Sequence, residues 1–100
     1  MEIKEIKKAL LRGDSIRLTN HTLRRIAKRG YTKTDLISCI LNGEITRLQT
    51  YRNRLSALIE GVDKDGLPMV VVVGYDFTKK TKFAIVTALP PIEEKFKRVI

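Results

Sequence analysis

The stretch Thr32-Lys33-Thr34-Asp35-Leu36-Ile37-Ser38-Cys39-Ile40-Leu41-Asn42-Gly43-Glu44-Ile45 is where the chain changes its period. Before Gly43, Leu36, Ile37, Ile40 and Leu41 recur at helical spacing and predict a helix over 33–42 with those four side chains buried. Thr32 and Asp35, three residues apart, form a Thr-x-x-Asp variant of the capping box, which occupies the free amides of a first helical turn. Beyond Gly43 the pattern is that of strands. Residues 44–50 make a weak one. Over 54–62, Leu55, Ala57 and Ile59 alternate with Ser56, Leu58 and Glu60. Asp63-Lys64-Asp65-Gly66 has the composition of a hairpin loop. Met69 through Val73 is apolar without alternation, which predicts a central strand covered on both faces. After a second hairpin loop at 76–81, Phe83, Ile85 and Thr87 alternate with Ala84, Val86 and Ala88, until Pro90-Pro91 ends the ladder.

Working upstream, Ile3, Ile6, Leu10 and Leu11 predict an amphipathic helix over 2–12, closed by Gly13. A second helix over 21–29 starts from Thr19 or Asn20 as its cap and stops at Gly30. Helices first and strands afterwards, joined by short loops, predict an α+β fold: N-terminal helices packed on a four-stranded antiparallel sheet. Leu23, Ile26, Leu36 and Ile40 are the expected contacts with one face of that sheet. The tail from Ile92 to Ile100 shows no distinct period.

The chain has 100 residues, which is one domain's worth, and no repeat or flexible linker divides it. No run approaches the roughly 20 apolar residues of a membrane helix. The opening Met1-Glu2-Ile3-Lys4 lacks the apolar core of a signal peptide. A single cysteine, Cys39, makes neither an internal disulfide nor a multi-thiolate metal site, so a reducing cytoplasm is the expected location. Cys39 sits among Ile37, Ile40 and Leu41 and reads as a core residue rather than a nucleophile. One histidine and one cysteine exclude a transition-metal site of the usual kind. Asp63 and Asp65 lack the surrounding ligand pattern of a calcium loop. The six glycines are scattered, so there is no phosphate-cradling loop. No metal and no cofactor are expected.

Charge is the strongest functional signal. The chain carries 20 Lys and Arg against 11 Asp and Glu, a net charge of +9. Residues 1–54 hold 13 bases and 5 acids, whereas 55–100 hold 7 and 6, so nearly all the excess lies in the first half. Between Asp14 and Asp35 stand Arg17, Arg24, Arg25, Lys28, Arg29 and Lys33 with no acid among them. Such a patch attracts polyanions and speeds their arrival. On a helix over 21–29, Leu23, Ile26 and Ala27 share one side, and His21, Arg25 and Lys28 share the opposite one, flanked by Arg24 and Arg29. His21, the only histidine, therefore stands among cations, and imidazole is the side chain that exchanges protons near neutral pH. The bland alternatives are a solvated basic face and a histidine that only begins a helix.

His21-x-x-x-Arg25-x-x-x-Arg29-Gly30, then a Thr-capped helix with Asn42-Gly43-Glu44-Ile45, then Gly66-x-Pro68, a Val-rich strand and Thr87-x-x-Pro90, resemble domain of unknown function 4258. This is a family of small bacterial and phage-associated proteins, and the resemblance covers about residues 16–91. The family resembles in turn, at the level of fold, the small ribonuclease toxins grouped with barnase and the RelE-type messenger-cleaving toxins. The resemblance implies metal-independent cleavage of RNA with the ribose 2′-OH as nucleophile. In that chemistry His21 is the general base, Arg25 and Arg29 stabilise the phosphorane-like transition state, and Thr87 or Tyr75 orients the phosphate or leaving oxygen. Many relatives carry a second histidine at the start of the Val-rich strand, where this chain has Met69, so an evident acid partner for His21 is missing.

Two further readings stand beside the enzyme. In one, Arg17, Arg24, Lys28 and Lys33 with Arg25 and Arg29 hold RNA or DNA through phosphates without cleaving it. Base stacking would fall to few aromatics, with Tyr31 and Tyr51 the expected surface ones. In the other, an acidic, antitoxin-like protein covers the patch. RNA or the ribosome is the expected partner of the first two, and no membrane is expected.

Overall fold

A computed structural model of the chain describes residues 1–13, 16–51, 53–76 and 81–91. The tail from 92, the tip of the 76–81 loop and the side chain of Tyr51 lie outside the described residues. The elements run α1 (Ile3–Arg12), β1 (Ile16–Arg17), α2 (Asn20–Ala27), α3 (Lys33–Asn42), β2 (Glu44–Tyr51), β3 (Arg54–Val62), β4 (Pro68–Tyr75) and β5 (Phe83–Leu89). The fold is α+β, with three helices and one sheet in the order β1-β5-β4-β3-β2. The strands β2 to β5 form the expected antiparallel meander.

The sheet departs from the four-stranded antiparallel expectation by one strand. Ile16 and Arg17 pair in parallel with Phe83 and Ala84, so the sheet is five-stranded and mixed. Two residues carry no period, and only the pairing makes them a strand. The Arg17 guanidinium reinforces it through a 2.9 Å ion pair with the nearly buried carboxylate of Asp76, just beyond β4.

Local signals place the helices. Thr19 caps α2, its hydroxyl accepting from the Thr22 amide at 3.1 Å. The helix closes with the Tyr31 amide donating to the Ile26 carbonyl and the Gly30 amide to that of Ala27. That reverse turn needs a left-handed residue, and Gly30 supplies it at φ +88°. At α3 both halves of the Thr32–Asp35 capping box form. Asp35 reaches further, its other oxygen accepting from the Lys64 amide at 3.2 Å, which stitches the start of α3 to the β3–β4 hairpin. In that hairpin Asp63 accepts from the Asp65 and Leu67 amides, so its carboxylate closes a turn.

The core lies between the helices and one sheet face. Ile6 of α1, Ile26 of α2 and Leu36, Cys39 and Ile40 of α3 meet Ala57, Ile59, Met69, Val71, Val73, Phe83 and Ile85. Leu23 is partly buried against the same cluster. Val70 and Val72, on the other sheet face, are buried too, as expected of a strand covered on both sides. Leu41, expected inside, is exposed, because the packed arc of α3 is narrower than its apolar sequence. Helix α3 lies so close to β3 that a Cβ at Gly61 would run into the Cys39 carbonyl and come 2.7 Å from the Asn42 side-chain oxygen. Gly43 is under the same constraint, since its Cβ would sit 2.6 Å from the Glu60 carbonyl. Gly43 therefore keeps an extended φ of −93° and is required for space rather than for a left-handed helix end. Asn42 exploits the proximity, its amide donating to the Val62 carbonyl and accepting from the Val62 amide.

Candidate functional site

Helix α2 faces the core with Ile26, fully buried, and Leu23, partly buried. The opposite side of the same helix is therefore solvent-facing, and His21, Arg24, Arg25 and Lys28 are all exposed. Among the described residues none of these cations is ion-paired with a carboxylate. Their long stems keep the charges in water while the apolar stripe anchors the helix. His21 and Arg25 are one helical turn apart and share a stripe that Lys28 continues.

Arg29 differs from its neighbours. It follows α2 by two residues and turns toward β5, in the part of that strand that β1 does not reach. Its Nη1 donates to the Thr87 hydroxyl at 3.0 Å and to the Ala88 carbonyl at 2.9 Å. One nitrogen thus joins two motifs that are 58 residues apart in the chain, Arg29-Gly30 and Thr87-x-x-Pro90. Two of the five N–H donors of a guanidinium are used there. The remaining three have no partner among the described residues, and the side chain is exposed. The result is a guanidinium held in one orientation with donors left over for an anion.

The structure brings Arg29 and Thr87 together just past the end of α2. It puts Tyr75 elsewhere. Tyr75 pairs with Phe83 across the ladder, and the two rings stack with centroids 5.6 Å apart. Thr87 pairs with Val72, three residues from Tyr75 on β4, so Tyr75 stands about 10 Å along the sheet from Arg29's partner. Its ring packs against the core cluster rather than the α2 stripe. Arg17, expected to contact nucleic acid, is committed to Asp76. Lys33 opens α3 and is exposed, beyond the Gly30 turn. Met69 is 1% exposed under α3, and the Cys39 thiol lies 3.6 Å from its carbonyl, so the position faces the core and not the cations. Tyr31, expected at the surface, is partly buried against the core, and burial pushes its phenol up, with Asp63 and Asp35 acting in the same direction.

Composition did not reveal the Arg29 clasp. The residues that form it are ordinary in kind, and only the return of β5 to the end of α2 makes them neighbours. A cleft of about 210 Å³ between α1 and β5, lined by Glu5, Lys8, Arg12, Lys82 and Phe83, contains none of the expected site residues. Its Lys82 is paired with Glu5 at 2.7 Å. Among the described residues, no three His, Cys, Asp or Glu side chains come together as a metal site, and no helix is long and apolar enough to cross a membrane.

No curated protein and no solved structure gives a significant match to the chain. A family model does match, over residues 18–90, which takes in α2, α3, the four-stranded meander and both halves of the Arg29–Thr87 contact. The chain is accordingly a member of the family described as Domain of unknown function (DUF4258).

Proposed function

We propose that this protein acts on RNA, holding the phosphate backbone along the exposed side of α2. The observation that carries this reading is Arg29, whose guanidinium is fixed on Thr87 and Ala88, with three donors that have no partner among the described residues, at the end of a stripe of exposed cations. A pre-oriented guanidinium loses little freedom on meeting phosphate and can bind it bidentately. Arg24, Arg25 and Lys28 supply further phosphate contacts, with Lys33 at the margin. Contacts of this kind give affinity with little preference for sequence.

Cleavage is the second reading, and the exposed His21 on the stripe of Arg25 favours it. His21 would take the proton of a ribose 2′-OH, and the resulting oxygen would attack the adjacent phosphorus. Arg25 and Arg29 would neutralise the added negative charge. The bond to the 5′-oxygen would break, and that oxygen would take a proton from solvent in the absence of a histidine at Met69. This is the chemistry of the barnase and RelE-type toxins, and Tyr75, stacked on Phe83, has no part in it.

The test is fluorescence anisotropy of a labelled single-stranded RNA against salt, with gel analysis of the same RNA and of ribosome-bound messenger. With about four phosphates held, log K should fall against log salt with a slope near −3, about 0.7 per contact. Arg25→Ala should weaken binding by about 1–3 kcal/mol. If the protein cleaves, His21→Gln should slow cleavage about 10²–10⁴-fold while leaving affinity nearly intact. Salt-independent binding, or none, would remove the RNA reading. Intact RNA with tight, salt-sensitive binding would leave the protein a binder.

A further inference from the structure

The two edges of the sheet are finished differently. On one side β5 is covered in part by β1 and clasped further along by Arg29. On the other side β2 is the outermost strand, and no described backbone group hydrogen-bonds to its outer edge. Its residues Thr46 through Thr50 are exposed, and Leu48 is 49% accessible. An unguarded edge strand is a template for another strand.

The edge is guarded at one end only. The ladder with β3 shifts register between Ile45 and Arg47, and at the start of the strand Glu44 faces Glu60. A bulge and two facing carboxylates discourage strand addition there, particularly by an acidic chain. From Arg47 to Tyr51 the register with β3 is unbroken, Arg47 opposite Leu58 and Tyr51 opposite Arg54. No proline interrupts these five residues. From Ile45 to Ile59 the sequence contains Arg47, Arg52 and Arg54 and no acid. A second copy of a chain with net charge +9 would bring like charges together along this edge. A strand bearing carboxylates would meet Arg47 and Arg54 instead. RNA offers no alternating amide N–H and C=O groups to match a strand edge and no apolar side chain for Leu48.

We propose that the outer edge of β2, over Arg47–Tyr51, receives an acidic extended segment of another protein as a sixth strand. Backbone hydrogen bonds supply the attachment, Arg47 and Arg54 select the charge, and Leu48 packs against an apolar side chain on the incoming strand. The Glu44/Glu60 pair sets the limit of the register. The surface is separate from the α2 stripe, and the proposal stands whether or not the protein binds RNA.

The experiment uses the whole chain, isotope-labelled, and a blocked hexapeptide alternating Glu and Val. Amide shifts on titration should localise to residues 47–51. A peptide N-methylated at alternate positions and a peptide with Lys in place of Glu should each bind at least tenfold more weakly. Arg47 and Arg54 are exposed, so Arg47→Glu and Arg54→Glu should keep native spectra while weakening the acidic peptide at least tenfold. Equal binding of the N-methylated peptide would overturn strand addition. So would shifts confined to α2, a concentration-dependent dimer that shifts the 47–51 amides, or an RNA oligonucleotide that moves those same amides.

Discussion

Arg25 and Arg29 carry the same charge, four residues apart, yet the structure gives them different duties. Both are exposed, but only Arg29 is bonded to the sheet, through Thr87 and the Ala88 carbonyl. Each such hydrogen bond contributes a net of about 0.5–1.5 kcal/mol to stability. With solvent able to replace part of the pair, Arg29→Ala should cost about 1.5 kcal/mol. In a domain of 100 residues that lowers Tm by about 6–12 °C. Arg25→Ala, which removes no bond among the described residues, should stay within about 3 °C of the wild type. Both variants should lose RNA affinity. Arg29→Lys separates charge from geometry: the salt dependence should persist while Tm falls nearly as far as in Arg29→Ala. Thr87→Val should lower Tm by a smaller amount, and in the double variant with Arg29→Ala the effects should fail to add, because the Thr87 contact is then already gone. Thermal unfolding by circular dichroism and the anisotropy titration supply both readouts. Equal Tm values for Arg25→Ala and Arg29→Ala would refute the clasp, and with it the claim that Arg29 is pre-oriented.

Gly61→Ala should destabilise the fold by about 1–3 kcal/mol, the cost of overpacking, because the new methyl group meets the Cys39 backbone and the Asn42 amide; chemical denaturation measures it. Asp35 accepts amides from Thr32 and Lys64, and the Thr32 hydrogen bonds hold its carboxyl below the usual carboxylate value. A lowered folded-state pKa adds stability that is complete above the unfolded value of about 3.9 and is lost as the pH falls through the folded one. Asp35→Asn should therefore be less stable at neutral pH and should lose less stability than the wild type on acidification below about pH 4, read from urea midpoints. Burial pushes the Cys39 thiol up to about 11. At pH 8 its thiolate fraction is then about 100-fold below that of an ordinary thiol of pKa 9.0, so alkylation of the native protein should be slower by at least that factor than in denaturant.

Much of this protein was legible in its order of residues. The capping box at Thr32 and Asp35, the glycine stops at 13 and 30, the hairpin at 63–66 and the strand through Val70–Val73 depend on neighbours within a few positions, where spacing is a faithful guide. So does the opposition of Ile26 to His21, Arg25 and Lys28, since a helix turns by a fixed angle per residue. Tertiary structure alone decided the rest. Ile16-Arg17 became a strand because Phe83-Ala84 offered a free edge and Asp76 a counter-charge. Leu41 was left outside because the sheet meets only part of the apolar arc of α3. Tyr75 and Thr87, both plausible partners for the cations from the sequence, were separated by the register of β4 with β5. Arg29 was singled out from six basic residues only because the end of β5 returns to the end of α2. Local spacing can say which face a side chain occupies. Which distant group it meets is set by strand register and helix placement, and those follow from burying the whole core at once.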